Sequence, residues 1–208
     1  VAYNNSTVEA YNDSTVEAIN NSTVEAWENS TVEAWDESTV DAYDNSVVEA
    51  YNDSTVEAFG NSTVEAFGNS KVTALNNSIV YAYNESEVVA YINSKVTVYN
   101  DSKVYAWENS TVDAYDNSVV EARNNSTVEA WGNSKVEAYN ESIVDAWGNS
   151  KVEAYGFSTV YKKSMNSKIS LNNHFGAVID QVFTLDKDIK VYKKLTGDKI
   201  ATLRLKKG

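Results

Sequence analysis

The sequence predicts an all-β fold, a β-solenoid of stacked octapeptide strands, and three observations predict it. An eight-residue phrase recurs from Ser6 to Val160, a constant set of residues alternates with a variable set inside it, and each copy ends in turn-forming residues. Numbered from its serine, the octad has Ser at position one from Ser6 to Ser158, and Val at position three from Val8 to Val160. Position five is Ala from Ala10 to Ala154, with Val98 as the exception. Positions two and four vary, mostly between Thr and Glu.

The strand comes first. Constant residues at i, i+2 and i+4 beside variable residues at i+1 and i+3 are the two-residue alternation of a β-strand with one face in a fixed environment. Ser, Val and Ala are therefore expected inside, and Thr and Glu outside. The corner follows: positions seven and eight are almost all Asn, Asp, Glu or Gly, as in Asn12-Asp13 and Gly60-Asn61. Asn and Asp bond their own backbone and tolerate left-handed dihedrals, and Gly adopts them freely.

One such strand cannot bury its small apolar face, but stacked copies can. With inward residues no larger than Val, two thin sheets packed face to face suit two octads per coil, 16 residues, better than a bulkier three-sided coil of 24. Residues 1–160 are expected to form this solenoid and residues 161–208 a C-terminal β cap. In that tail Ser167, Ile169 and Leu171 hold positions one, three and five after a one-residue insertion. Two further stretches, GAVIDQVFTL and DIKVYKKLTGDKIATLRL, read as strands, the second a hairpin turning at Thr196-Gly197-Asp198-Lys199. Lys-rich strands of this kind stop edge-to-edge growth.

Ala10-Tyr11-Asn12-Asp13-Ser14-Thr15-Val16-Glu17-Ala18 resembles the repeat register of bacterial ice-nucleation proteins, Ala-Gly-Tyr-Gly-Ser-Thr-x-Thr-Ala. The likeness covers the repeat region and implies a solenoid. In that family ice binding is attributed to outward Thr-x-Thr rows, whereas position four here is Thr only at Thr73 and Thr97. The resemblance therefore carries the fold and not the activity.

Position four is acidic in most octads: Glu9, Glu17, Glu25, Glu33, Asp41, Glu49, Glu57, Glu65, Asp113, Glu121, Glu129 and Glu137 form the expected binding rows. Residues 1–158 hold 26 acidic against 6 basic side chains, and residues 159–208 hold 4 against 11. At ~4.8 Å per rung, ten rungs make a rod of roughly 48 Å, so the carboxylates average one per ~1.8 Å. Duplex DNA carries one phosphate charge per ~1.7 Å. The expected partner is a basic protein, most specifically a DNA-binding protein whose groove the rod occupies as a decoy or inhibitor, by analogy with DNA-mimicking pentapeptide-repeat solenoids. The alternatives are a structural spacer or fibre segment whose charge serves solubility, and an ice-related role.

Charge lapses in the middle: residues 70–107 hold 3 acidic and 3 basic side chains, and Ile79, Tyr81, Val89, Lys95, Thr97 and Tyr105 replace the usual outward groups. Four of them, Ile79, Tyr81, Lys95 and Thr97, share a face in a two-octad coil and are the expected centre of a contact with a partner or a second copy.

Enzyme chemistry is not expected, because twenty near-identical serines without a partner base form a ladder and not a nucleophile. His174, the single histidine, reads as a polar residue of the tail. No cofactor, no metal site and no direct nucleic-acid contact through the solenoid are expected, and the lack of Cys removes thiolate sites. Asn-x-Ser/Thr sequons such as those at Asn4, Asn5 and Asn12 arise wherever a corner Asn precedes the strand serine. No apolar run reaches membrane-spanning length, and a cytoplasmic location is expected. Position six is aromatic in all but Ile19, Leu75 and Arg123 of the 19 complete octads, which suggests edge ladders of stacked rings.

Overall fold

The computed structural model describes residues 1–174, 177–180, 189–193 and 199–203. Each octad forms one strand, four residues long in all but Thr15–Ile19 and Lys151–Gly156, as in Thr23–Ala26 and Thr31–Ala34. Successive strands fall alternately into two sheets, and each strand pairs in parallel with the one two octads on. The chain is thus a two-sided parallel β-solenoid with two octads per coil. We call the 14-stranded sheet the front sheet and the 11-stranded sheet the back sheet. Register is strict: Thr23, Val24, Glu25 and Ala26 lie beside Thr39, Val40, Asp41 and Ala42 of the next coil.

The core is the seam between the sheets. Every position-one serine from Ser22 to Ser158 is fully buried, as are nearly all the valines and alanines of positions three and five. Burial of a Val side chain is worth roughly 1.5–3 kcal/mol, so stacking supplies what no single strand has. At most rungs the buried serine hydroxyl closes the corner, Ser118 and Ser158 being exceptions. Ser30 Oγ donates to Trp27 O at 2.7 Å and Ser30 N to the same carbonyl at 3.3 Å. Between them Glu28 and Asn29 both have positive φ, 52° and 64°, the sign pattern of a type I′ turn. Rung-to-rung backbone bonds continue round the corner, with Asn29 N donating to Asp44 O at 3.1 Å.

One stretch of one corner departs from this pattern. Where the front sheet leads into the back sheet, Asn21 N donates to Asp36 O of the following coil, but Asn133 N and Asn149 N donate to Asp116 O and Gly132 O of the preceding coil, at 2.8 and 2.7 Å. There Asp116, Gly132 and Gly148 have positive φ, and their neighbours Asn117, Asn133 and Asn149 do not. This is the sign pattern of a II′ turn, which favours Gly first. A Cβ on Gly148 would sit 3.0 Å from Gly132 O.

After Lys162 the octad reading holds for one more back-sheet strand. Lys168–His174 pairs with Lys151–Gly156, matching Ile169 to Val152 and Leu171 to Ala154, across an irregularity at Tyr155/Gly156. Ala177–Asp180 then stacks in parallel on Thr159–Lys162. Ile189–Lys193 and Lys199–Leu203 follow as antiparallel strands of the front sheet. The expected turn residues Thr196 to Asp198 lie outside the described residues.

Candidate functional site

Because positions two, four and six all point outward, each sheet presents three columns of side chains along the rod. The twelve acidic residues expected from the sequence all fall in the position-four columns, and they divide equally between opposite faces. Glu17, Glu33, Glu49, Glu65, Asp113 and Glu129 belong to the front sheet. Glu9, Glu25, Asp41, Glu57, Glu121 and Glu137 belong to the back sheet. Within a block, neighbouring carboxylates are one rung apart, ~4.8 Å, where two charges in water repel by about 1 kcal/mol. At Asp41 partial burial, followed by the charge of Glu57, holds the carboxyl above its ordinary range.

The rings of position six lie beside these columns. On the front-sheet edge eight rings stack without a break, Trp35, Tyr51, Phe67, Tyr83, Tyr99, Tyr115, Trp131 and Trp147, with centroids 4.0 to 6.2 Å apart. The back-sheet edge carries a second ladder, interrupted at Leu75 and Arg123. Tyr51 donates to Glu49 at 2.6 Å and Tyr139 to Glu137 at 2.7 Å. The bond to Glu49, then burial, pushes the Tyr51 phenol up to about 12.

Arg123 shows what these neighbours do to a cation. Its guanidinium lies between the rings of Trp107 and Tyr139, 4.9 and 4.7 Å from their centroids, and Nε donates to Glu121. Lys163 makes a related contact on the front edge, with Nζ 5.9 Å from the Trp147 centroid and 3.3 Å from Asp145 of the same preceding rung. In both places a cation at position six meets a ring of a neighbouring rung and a position-four carboxylate, Glu121 in the octad of Arg123 itself and Asp145 in the octad of Trp147. Sequence reading had Arg123 only as an exception in an aromatic series; the signal was its carboxylate two residues upstream.

Of the expected contact residues, Ile79 lies beside Lys95, and Tyr81 beside Thr97, on the front sheet. Val89 and Tyr105 are adjacent on the back sheet. They are two patches, on opposite faces.

The sequence reading did not find a lysine column. Lys71, Lys103, Lys135, Lys151 and Lys168 all stand at position two of the back sheet, where Glu87 and Val119 occupy the intervening rungs. The signal was parity: these lysines occur in every second octad, while Lys95 alone falls in the other set. Lys135, Lys151 and Lys168 line a groove of about 1030 Å³ with Asn117, Asn133 and Asn149.

Among the described residues no group of three or more His, Asp and Glu side chains is placed to hold a metal, and no helix is long and apolar enough to cross a membrane. No protein-family model, curated protein or solved structure matches the chain.

Proposed function

We propose that the chain is a non-enzymatic acidic rod that binds a basic protein surface, most specifically as a decoy occupying the groove in which a DNA-binding protein holds its duplex. The supporting observation is the carboxylate column beside the stacked rings, the two kinds of group that Arg123 and Lys163 already meet within the chain. At Glu25-Trp27 and Glu33-Trp35 a partner's arginine or lysine meets a carboxylate and a ring with no internal cation in place, although the rings there stack at 4.0 Å and leave no gap like the one Arg123 fills. The N-terminal rungs suit this best, since residues 1–69 hold 14 acidic and no basic side chains. Long-range attraction brings the partner in and depends on salt.

The test is competition. A purified helix-turn-helix domain bound to labelled duplex is titrated with the chain at ~50 and ~200 mM salt. Displacement at the lower salt, weakened about tenfold or more at the higher, is the expected result for several released charge contacts. A Glu25→Gln, Asp41→Asn, Glu57→Gln variant should displace less. If the wild-type chain leaves the duplex in place at both salts, and equally fails against other basic domains, the rod serves as a spacer.

A further inference from the structure

The front-to-back corner carries two concave sections of opposite charge, one at each end of the rod. The first is lined by Asn4, Asn20, Asp36, Glu37, Asn52 and Asp53, and no basic residue precedes Lys71. The second is the larger groove, lined by Lys135, Lys151 and Lys168 against the single carboxylate of Asp101, where the turn changes from the I′ to the II′ pattern. The three lysines are exposed and make no ion pair within 4 Å among the described residues, although Glu137 and Glu153 stand on the same strands. Six rungs separate Lys135 from Thr39, the strand residue that follows Glu37 along the same edge.

We infer that this edge pairs with the same edge of a second copy, antiparallel, about a two-fold axis perpendicular to the rod. Such an axis lays acidic section over basic section twice. It also keeps back-sheet side over back-sheet side, so the position-two columns face each other while the position-four carboxylates stay outside the contact. Both copies have the same rung spacing, so one matched pair brings its neighbours into register.

One register satisfies the charges. With Lys103 against Glu87 of the second copy, Lys135 meets Asp53 and Lys151 meets Glu37 and Asp36, each contact occurring twice. A slip of one rung in one direction sets Glu87 against its own counterpart and Lys71 against Lys103. The opposite slip sets Lys71 against Lys135. Like charges placed directly opposite across a strand pair are destabilising, and the same holds between edges. The arrangement also moderates the repulsion expected of two chains at −13 each, since it sets the N-terminal rungs of one, where no basic side chain precedes Lys71, beside the rungs of Lys135, Lys151 and Lys168 of the other. This pairing does not depend on the decoy reading.

Sedimentation equilibrium tests it with two charge-reversed variants, Lys135→Glu/Lys151→Glu and Glu37→Lys/Asp53→Lys. The wild-type chain should dimerise at ~0.1 M salt and dissociate at ~1 M, where the screening length falls to about 3 Å. Each variant alone should dimerise about tenfold or more weakly. Their equimolar mixture should recover a dimer containing one of each, because every reversed charge then meets a reversed partner. Glu37 and Asp53 have positive φ, so a Glu37→Gln/Asp53→Asn pair, with circular dichroism to confirm the fold, gives the same reading with less disturbance of the turn. A wild-type chain that is monomeric at every salt, a dimer indifferent to the reversals, or a mixture that fails to pair would overturn the inference. A dimer that persists at ~1 M salt and dissociates on Tyr81→Asp would also overturn it, in favour of the front-sheet patch.

Discussion

Ile92 is the only β-branched residue with positive φ among the described residues, at 51°, and its side chain is 40% exposed. Its neighbours in the same corner column are Asn76 and Glu108, which share the left-handed conformation. For an L-residue with a branched Cβ that conformation costs roughly 1–2 kcal/mol, and little burial offsets it here. Ile92→Asn should therefore stabilise the chain by about 1 kcal/mol, seen as a rise of about 2–4 °C in the melting midpoint. An unchanged or lowered midpoint would mean that the covered part of the isoleucine, which is 40% exposed, contributes enough packing to offset its backbone conformation. Arg123 is the opposite case at the same scale. It breaks the aromatic ladder, yet its planar cation fills the gap between two rings and takes Glu121 as its counter-charge.

At the scale of the strand and its ladder, the tyrosine of position six is tied to the acid of position four. Tyr51 holds its proton up to about 12 because Glu49 accepts that proton in a hydrogen bond and because burial and the nearby carboxylates disfavour the phenolate. The sign of the linkage follows. Between about pH 10, where an unfolded tyrosine ionises, and about 12, the folded chain binds more protons than the unfolded one, so stability falls as pH rises through that window. Phenolate absorbance should accordingly lag behind that of free tyrosine and then appear together with loss of β-structure. Tyr51→Phe should remove part of the lag; ionisation of every tyrosine near pH 10 with the sheets intact would refute the bond to Glu49.

Much of this element was legible in the sequence. Alternation placed Ser, Val and Ala inward, and the Asn, Asp and Gly pairs located the corners, because burial and left-handed φ each demand particular residue types. The switch of turn pattern at Asp116 was not legible. Asn is compatible with either sign of φ, so Asn117 reads like Asn21 until the direction of its peptide is seen.

Across the whole molecule, a one-dimensional array leaves a choice that no single repeat settles, namely which face a given octad joins. The octads are nearly alike inside, so the fold follows from any one of them. The surface depends on counting them two by two, and the lysine column is invisible until that count is made. Deletion separates the two. Removing residues 47–54 joins Ser46 to Thr55 with the octad phase intact, so coils should still stack, but every later strand moves to the opposite sheet. The lysines then run beside the other corner, away from Asp36 and Glu37. Removing residues 47–62 takes out one whole coil, leaves every later strand in its own sheet, and sets Lys135 against Glu37 of a second copy. Both chains should show the same β-sheet circular dichroism and cooperative melting, because nearest-neighbour stacking sets stability in such arrays. Only the longer deletion should keep salt-sensitive dimerisation. Were the shorter deletion to unfold, octads would not be interchangeable between sheets; were it to dimerise like the parent chain, the columns would not direct assembly.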